Sequence, residues 1–343
     1  MNSQNFSIVI ASYKRHESLR RLLPGISEHF VDLGTKHEVL VANNAREVNT
    51  VTAIDSVVDE FQSQNRDAFR SVREPRAGKC RAQNLAIRRA NGSILAFFDH
   101  DVVVTADWLA VVSQFFRESS YDAMQGPILI PPEMKNDGEF LRAHHKFRTI
   151  NFVQYSPKLS SINTLTGANM AIRKEVFSRI GDFNEELGPG RSGISEDVEF
   201  AKRLLRSGGT IGYEPRASVY HEVDWSRLTE DFFRERHEQQ GRSRLIYKKQ
   251  SLGSIIPNFM RAVFSFGWYT VTGNVRKQYR AKGRLYHYRA MFQEKIKNTN
   301  GNRALLSIFF IKQTAQVMLR DLDTSLPCAK YAWIRMEQRL SLR

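Results

Sequence analysis

The chain has 343 residues, 41% of them hydrophobic, enough apolar material for one large domain with an appendage. Its two cysteines, Cys80 and Cys328, are far apart, which excludes a disulfide framework and a cysteine-built metal site and suits a reducing compartment. The net charge of +15 belongs to the last third: residues 1–224 hold 28 Lys+Arg against 28 Asp+Glu, and residues 225–343 hold 23 against 8.

The opening MNSQNFSIVIASYKRHESL has no basic leader, and its apolar run is too short for a secretory signal. The expected location is the cytoplasm, with peripheral attachment at the cytoplasmic membrane face as a variant. Residues 6–11 (FSIVIA) read as a buried strand and 17–30 as a helix with Leu19, Leu22, Leu23 and Ile26 on one face. Residues 38–42 (EVLVA) read as a second strand, 51–62 as a helix, 69–72 as a short strand, 78–90 as a helix and 94–98 as a strand. Short apolar strands alternating with amphipathic crossovers imply an α/β domain with a mainly parallel sheet flanked by helices. Ligands of such sheets bind beyond the carboxyl ends of the strands. In ILAFFDHDVVV, Asp99 and Asp101 leave the end of a central strand at that rim.

Two carboxylates one residue apart at a strand end can serve a hard divalent cation, one directly and one through water, with phosphate oxygens and waters as the other ligands. A solvated acidic turn has the same spelling. In SGISEDVEFAKRLLRSGG, Ser195 is the expected cap of a helix, with Glu196 and Asp197 in its first turn. Val198, Ala201, Leu204 and Leu205 would form its buried stripe, and Gly208 or Gly209 would end it. Carboxylates there complement the positive helix end, and one held ionised is available as a base to a substrate hydroxyl. In GYEPRASVYHEVD a turn and a short strand deliver His221, either a structural histidine or a third metal contact.

The ordered stretches FSIVIASYKR, HEVLVANNA, REPRAGKCRAQNLAIRRANGSILAFFDHDVVV, LTGANMAIRKEVFSRIGDFNEELG, SEDVEF and YHEV resemble family 2 glycosyltransferases of the GT-A fold, over roughly residues 6–245. The resemblance implies an inverting transferase in which Asp99 and Asp101 bind a nucleotide-sugar diphosphate through Mn²⁺ or Mg²⁺. It implies that His221 completes the metal site and that Asp197, with Glu196 beside it, is the general base. It places donor contacts at Ser12, Tyr13 and Arg15 after the first strand; Arg76 and Lys79, which precede a helix start, would dock a phosphate or nucleobase or serve as helix-flanking charge. Arg242 and Arg244, in RLTEDFFRERHEQQGRSRLIYK, would close over the diphosphate, or lie on a solvated basic helix. Gly167, Ala168 and Asn169 would shape the floor between donor and acceptor, and Trp108 reads as core. Two positions depart from the pattern. Asn43 stands where the family has a nucleoside-binding aspartate, and His100 takes the middle of the D-x-D.

The expected organisation is a catalytic domain over residues 1–245, with a nucleotide-sugar half to about 105 and an acceptor half after it, then a basic, mostly helical region over 246–343. Ile255, Ile256, Phe259, Met260, Val263, Phe264, Phe266, Trp268 and Tyr269 crowd one segment of that region. Pro257, Arg261 and its length argue against a spanning helix; a membrane-surface helix and a packed helix with a basic face both fit. Residues 304–319 read as a further helix. The expected partners are a UDP-, GDP- or dTDP-sugar, a saccharide or lipid-linked saccharide acceptor, and an anionic membrane surface. Nucleic-acid binding would account for the charge but gives no role to Asp99, Asp101, Glu196 and Asp197. A third reading, an inactive scaffold, would treat Asn43 and His100 as decay.

Overall fold

The structure, a computed structural model, describes residues 5–31, 37–64 and 68–297. The first half alternates as its apolar pattern requires: β1 (Phe6–Ser12), α1 (His16–Val31), β2 (Glu38–Asn43), α2 (Val48–Gln64), β3 (Phe69–Arg73), α3 (Lys79–Arg89) and β4 (Ile94–Phe98). After it come β5 (Val102–Val104), α4 (Trp108–Glu118), β6 (Ala123–Gln125), β7 (Ile128–Leu129), α5 (Gly138–Phe147), β8 (Met170–Arg173) and α6 (Lys174–Ile180). The remaining elements are α7 (Glu196–Arg206), β9 (Ile211–Tyr213), β10 (Val219–His221), α8 (Glu230–Tyr247), α9 (Leu252–Val271) and α10 (Val275–Lys297).

Seven strands form one sheet in the order β3-β2-β1-β4-β8-β6-β9, parallel except for β8, which runs against both neighbours. Successive side chains of β1 serve opposite faces. Ile8 and Ile10 join the core with Leu19, Leu22 and Leu23 of α1, while Val9 joins the one with Ile87, Phe97 and Phe200. Burial on both faces explains why these strands read as continuous apolar runs rather than alternating ones. A second sheet, β5-β10-β7, pairs β10 antiparallel to β5 with His221 opposite Val102.

Trp108 is in the core, as expected, and its indole N–H donates to Asn169 Oδ1 at 2.9 Å. Asn169 in turn donates to the Pro127 and Ala217 carbonyls, so one buried amide ties α4 to the chain entering β7 and β10. The start of α7 departs from expectation. Ser195 lies in the left-handed region (φ 80°) and its side chain makes no cap bond. The buried stripe of α7 is Glu196, Phe200, Ala201 and Leu204, while Val198 and Leu205 are half-buried. A loop rich in positive-φ glycines leads into the helix and turns Glu196 inward, which rotates the buried face by about one residue.

The chain divides into two compact units, residues 1–232 and 233 onward. In the second, α9 and α10 pack on one another across the turn at 272–274. A Cβ on Gly241 of α8 would lie 2.3 Å from the His287 carbonyl of α10, so those helices meet at backbone distance. The helix expected at 304–319 lies outside the described residues.

Candidate active site

The C-terminal ends of β1, β2 and β4 are aligned by their parallel registers, Ser12 with Asn43 and Ile10 with Phe98. The chain turns after Phe98, and the next residues fall at the rim. Asp101 is buried and is drawn to the end of β10, because β5 and β10 pair and the Glu222 N–H donates to the Asp101 carbonyl at 2.8 Å. His221 is fully buried beside it, its Nε2 3.6 Å from Asp101 Oδ1. The His221 Nδ1 contact at 2.8 Å is to a carbonyl, that of Glu222, so Nδ1 carries a hydrogen there and Nε2 is the ring nitrogen that faces Asp101.

A cation already stands there. Arg227, at the end of the 3₁₀ turn Trp225–Arg227, donates from Nη2 to Asp101 Oδ2 at 2.7 Å and brings Nη1 to 3.5 Å from His221 Nε2. Asp99 takes a different partner. Lys79 at the start of α3 donates to Asp99 Oδ1 at 2.7 Å and lies 3.2 Å from Glu196 Oε1. Burial opposes ionisation of Asp99, yet the Lys79 ammonium holds its carboxyl down at about 2. The same pairing works on Lys79, whose burial disfavours charge but whose carboxylate neighbours keep it protonated.

The expected trio of Asp99, Asp101 and His221 therefore does not close on one point. Among the described residues no three His, Cys, Asp or Glu side chains converge to hold a metal by themselves. Asp101 and His221 remain a carboxylate–imidazole pair that attracts a cation, as Arg227 demonstrates, and such a pair fits a divalent ion whose other ligands are phosphate oxygens and water. Two orphaned polar atoms lie at the same edge. The Ser12 hydroxyl and His100 Nε2 are buried and have no hydrogen-bond partner. Burial keeps His100 neutral.

Glu196 and Asp197 are separated by function of place. Glu196 is buried against Lys79, and Gly188 makes room for it: with φ 80°, a Cβ there would press on Cys80 Sγ at 3.2 Å and on the Glu196 carboxyl at 3.3 Å. Asp197 accepts the Gly167 N–H on Oδ2 at 3.0 Å and the Val198 N–H on Oδ1 at 2.7 Å, which fixes its carboxylate toward the LTGAN turn. Burial, with Glu196 alongside, raises its pKa to about 6. A carboxylate poised there can take a proton near neutral pH.

The other expected donor residues are distributed unevenly. Arg15 donates to Asp224 at 2.7 Å and helps line a cavity of about 410 Å³ with Asp101 and residues 222–226. Tyr13 is exposed. Asn43 is used inside the protein: it donates to the Val51 carbonyl and to Asp55 and accepts the Ala45 N–H, pinning the turn into α2. Its neighbour Asn44 ties β2 to the loop before α3 through the Glu74 and Arg76 carbonyls and the Gly78 N–H. Arg76 is exposed and folds back on Glu74 through two N–H donors. Arg242 and Arg244 lie on α8 in the second unit, Arg242 3.8 Å from Glu238.

Sequence reasoning did not find Arg227. Its only signal was a basic residue six positions after His221, in the run whose later arginines drew attention. The link from Lys79 to Glu196 was also missed, since nothing in the spacing brings residue 79 to residue 196.

The seven-strand sheet and the acidic rim are those of a GT-A glycosyltransferase. The profile described as glycosyl transferase family 2 matches residues 7–181, about half of the chain, which belongs to that family. Curated relatives include the succinoglycan biosynthesis protein ExoM of Rhizobium meliloti, 25% identical over 71% of this chain and 76% of that protein. The glycosyltransferase AglE of Haloferax volcanii is 22% identical over 60% and 63%. Among solved structures, the mannosyltransferase PcManGT of Pyrobaculum calidifontis in complex with GDP-Man and Mn²⁺ superposes with a TM-score of 0.53 at 17% identity, covering 93% of this chain and 81% of that one. S. aureus TarS 1–349 in complex with UDP-GlcNAc superposes at 0.50 with 14% identity, covering 85% and 92%.

Proposed function

We propose that this enzyme is an inverting, metal-dependent glycosyltransferase that moves a sugar from a nucleotide diphosphate to a hydroxyl of a saccharide or lipid-linked saccharide. The observation that carries the reading is the separation of the two charge centres. A cation-attracting pair, Asp101 and His221, is brought together by the β5–β10 pairing, and a half-buried carboxylate with its pKa near 6, Asp197, belongs to a different segment, the first turn of α7. Inversion needs that division, because the hydroxyl attacks from the face opposite the departing diphosphate. The solved relatives with GDP-Man and UDP-GlcNAc support a nucleotide-sugar donor for this chain, and the Mn²⁺ of the former supports a divalent metal.

In this reading the donor lies along the ends of β1 and β4, where the orphaned Ser12 hydroxyl and His100 Nε2 meet its polar groups. Tyr13 and Arg15 flank it, and Asp101 and His221 would hold Mn²⁺ or Mg²⁺, with Asp99 reaching the ion through water. When bound, the metal neutralises the charge that develops on the leaving diphosphate. Lys79 adds a second fixed positive charge beside Asp99, which it keeps ionised, and pairs with Glu196. Asp197 accepts the proton of the acceptor hydroxyl, and its two backbone N–H bonds hold the carboxylate in one orientation while it does so. Residues 1–232 carry all of these groups, so we assign catalysis to that unit and attachment or packing to the basic helices beyond it.

The test is product stereochemistry. Proton NMR of the first product formed from an α-linked nucleotide sugar should show a β-linkage. An α-linkage would remove the inverting mechanism and the base role of Asp197 with it.

A further inference from the structure

The second unit carries a surface that sugar transfer does not use. Along one side α9 buries Ile255, Phe259, Ala262 and Phe266. Along the other it presents Met260, Phe264, Trp268 and Val271, which are 37%, 69%, 66% and 76% exposed. Steps of four, four and three residues keep these four on one stripe, running about 16 Å at 1.5 Å per residue. A helix with one packed face ordinarily turns polar residues to water, so an outward stripe of this size marks a contact surface.

Its setting says what it contacts. Lys248 and Lys249 precede α9, Arg261 lies in it, and Arg276, Lys277 and Arg280 follow on the first turns of α10, all exposed. Residues 248–293 hold nine Lys and Arg and not one Asp or Glu. Cations at both ends of an apolar stripe that carries tryptophan are the requirement of a helix lying in the headgroup layer of an anionic bilayer. A second copy would set these cations against their own kind, and a nucleic acid, which can stack bases on aromatic rings, gives no role to the exposed Met260 and Val271 in the same stripe. No described helix is long and apolar enough to cross a membrane.

We propose that α9 is a membrane-surface helix, with Phe264 and Trp268 inserted among the acyl chains and the flanking lysines and arginines on lipid phosphates. This extends the proposed function by favouring a lipid-linked acceptor, and it stands or falls separately from it.

The experiment is co-sedimentation of the full chain with vesicles of phosphatidylcholine containing phosphatidylglycerol, and with phosphatidylcholine alone, for wild type and for Phe264→Ser/Trp268→Ser. Wild type should pellet with the anionic vesicles and release in high salt. The double variant should bind at least about tenfold more weakly, while its calorimetric affinity for a nucleotide sugar is unchanged. Should the double variant fail to fold, Arg276→Glu/Lys277→Glu serves in its place, with the same loss expected. Wild type remaining in the supernatant with both vesicles overturns the proposal, as does a folded variant that binds like wild type. Dimerisation of wild type that the double variant abolishes would assign the stripe to a second copy instead. Loss of nucleotide-sugar binding in wild type, with vesicle binding kept, would count against the transferase reading alone.

Discussion

Replacing Lys79 with methionine removes a cation that pairs with both the donor-side carboxylate Asp99 and Glu196, the neighbour of Asp197. A Cβ on Gly167 would lie 3.4 Å from Lys79 Nζ and 3.9 Å from Asp197 Oδ2, so those charges are at most about 7 Å apart. At an effective dielectric constant of about 20, a unit charge at that distance is worth ~2.4 kcal/mol, or ~1.7 pKa units. Asp197 must be ionised to accept a proton, so the acidic limb of kcat/KM is expected at about 6 in wild type. Removing the positive charge raises the Asp197 pKa, and the limb should move up to roughly 7–8, with activity lost at a higher pH than before. Asp99 and Glu196 also lose their partner, at a cost of about 3–5 kcal/mol in denaturant unfolding. Lys79→Arg restores the charge and should bring the limb back toward 6. A rate profile across neutral pH on a folded Lys79→Met enzyme decides the matter; a limb that stays at 6 refutes the electrostatic coupling of Lys79 to the base.

Asp197→Asn keeps the shape of the site but cannot take the proton, so kcat should fall by about 10²–10⁴ with donor affinity unchanged, measured by steady-state kinetics beside calorimetry. Arg227→Ala opens the Asp101–His221 pair; Mn²⁺ alone, followed by electron paramagnetic resonance of the free ion, should bind roughly tenfold tighter for the loss of one competing charge. Trp108→Phe strands Asn169 Oδ1 in the core and should cost about 1–3 kcal/mol in urea unfolding, with little change in Mn²⁺ binding.

Much of this arrangement was legible because parallel strands announce themselves. The runs FSIVIA, EVLVA and ILAFF have no polar face, so their ends, and with them Asp99 and Asp101, could be placed at the sheet rim before any fold was known. His221 was legible as the end of a strand, but its contact with Asp101 depends on the pairing of two three-residue strands, too short for a pattern to specify their register. The α7 start misled because Ser-Glu-Asp spells a capping sequence, whereas glycines at 188, 190 and 193 bring the chain in through a left-handed Ser195. Asn43 looked like a ligand contact by position, yet its amide is used in the turn before α2; hydrogen-bond saturation by distant residues leaves no trace in spacing. Arg227 was invisible for the same reason, since its meaning comes from a carboxylate 126 residues away.

The central claim is a metal-assisted nucleotide-sugar site built on Asp101, and calorimetry tests it most directly. Wild type and Asp101→Ala would be titrated with UDP-, GDP- and dTDP-sugars, each with Mn²⁺ and with EDTA. The expected result is binding of one nucleotide class that needs the metal and disappears in the variant. Folded wild type that binds none of them under either condition, or a variant that binds as well as wild type, would contradict it.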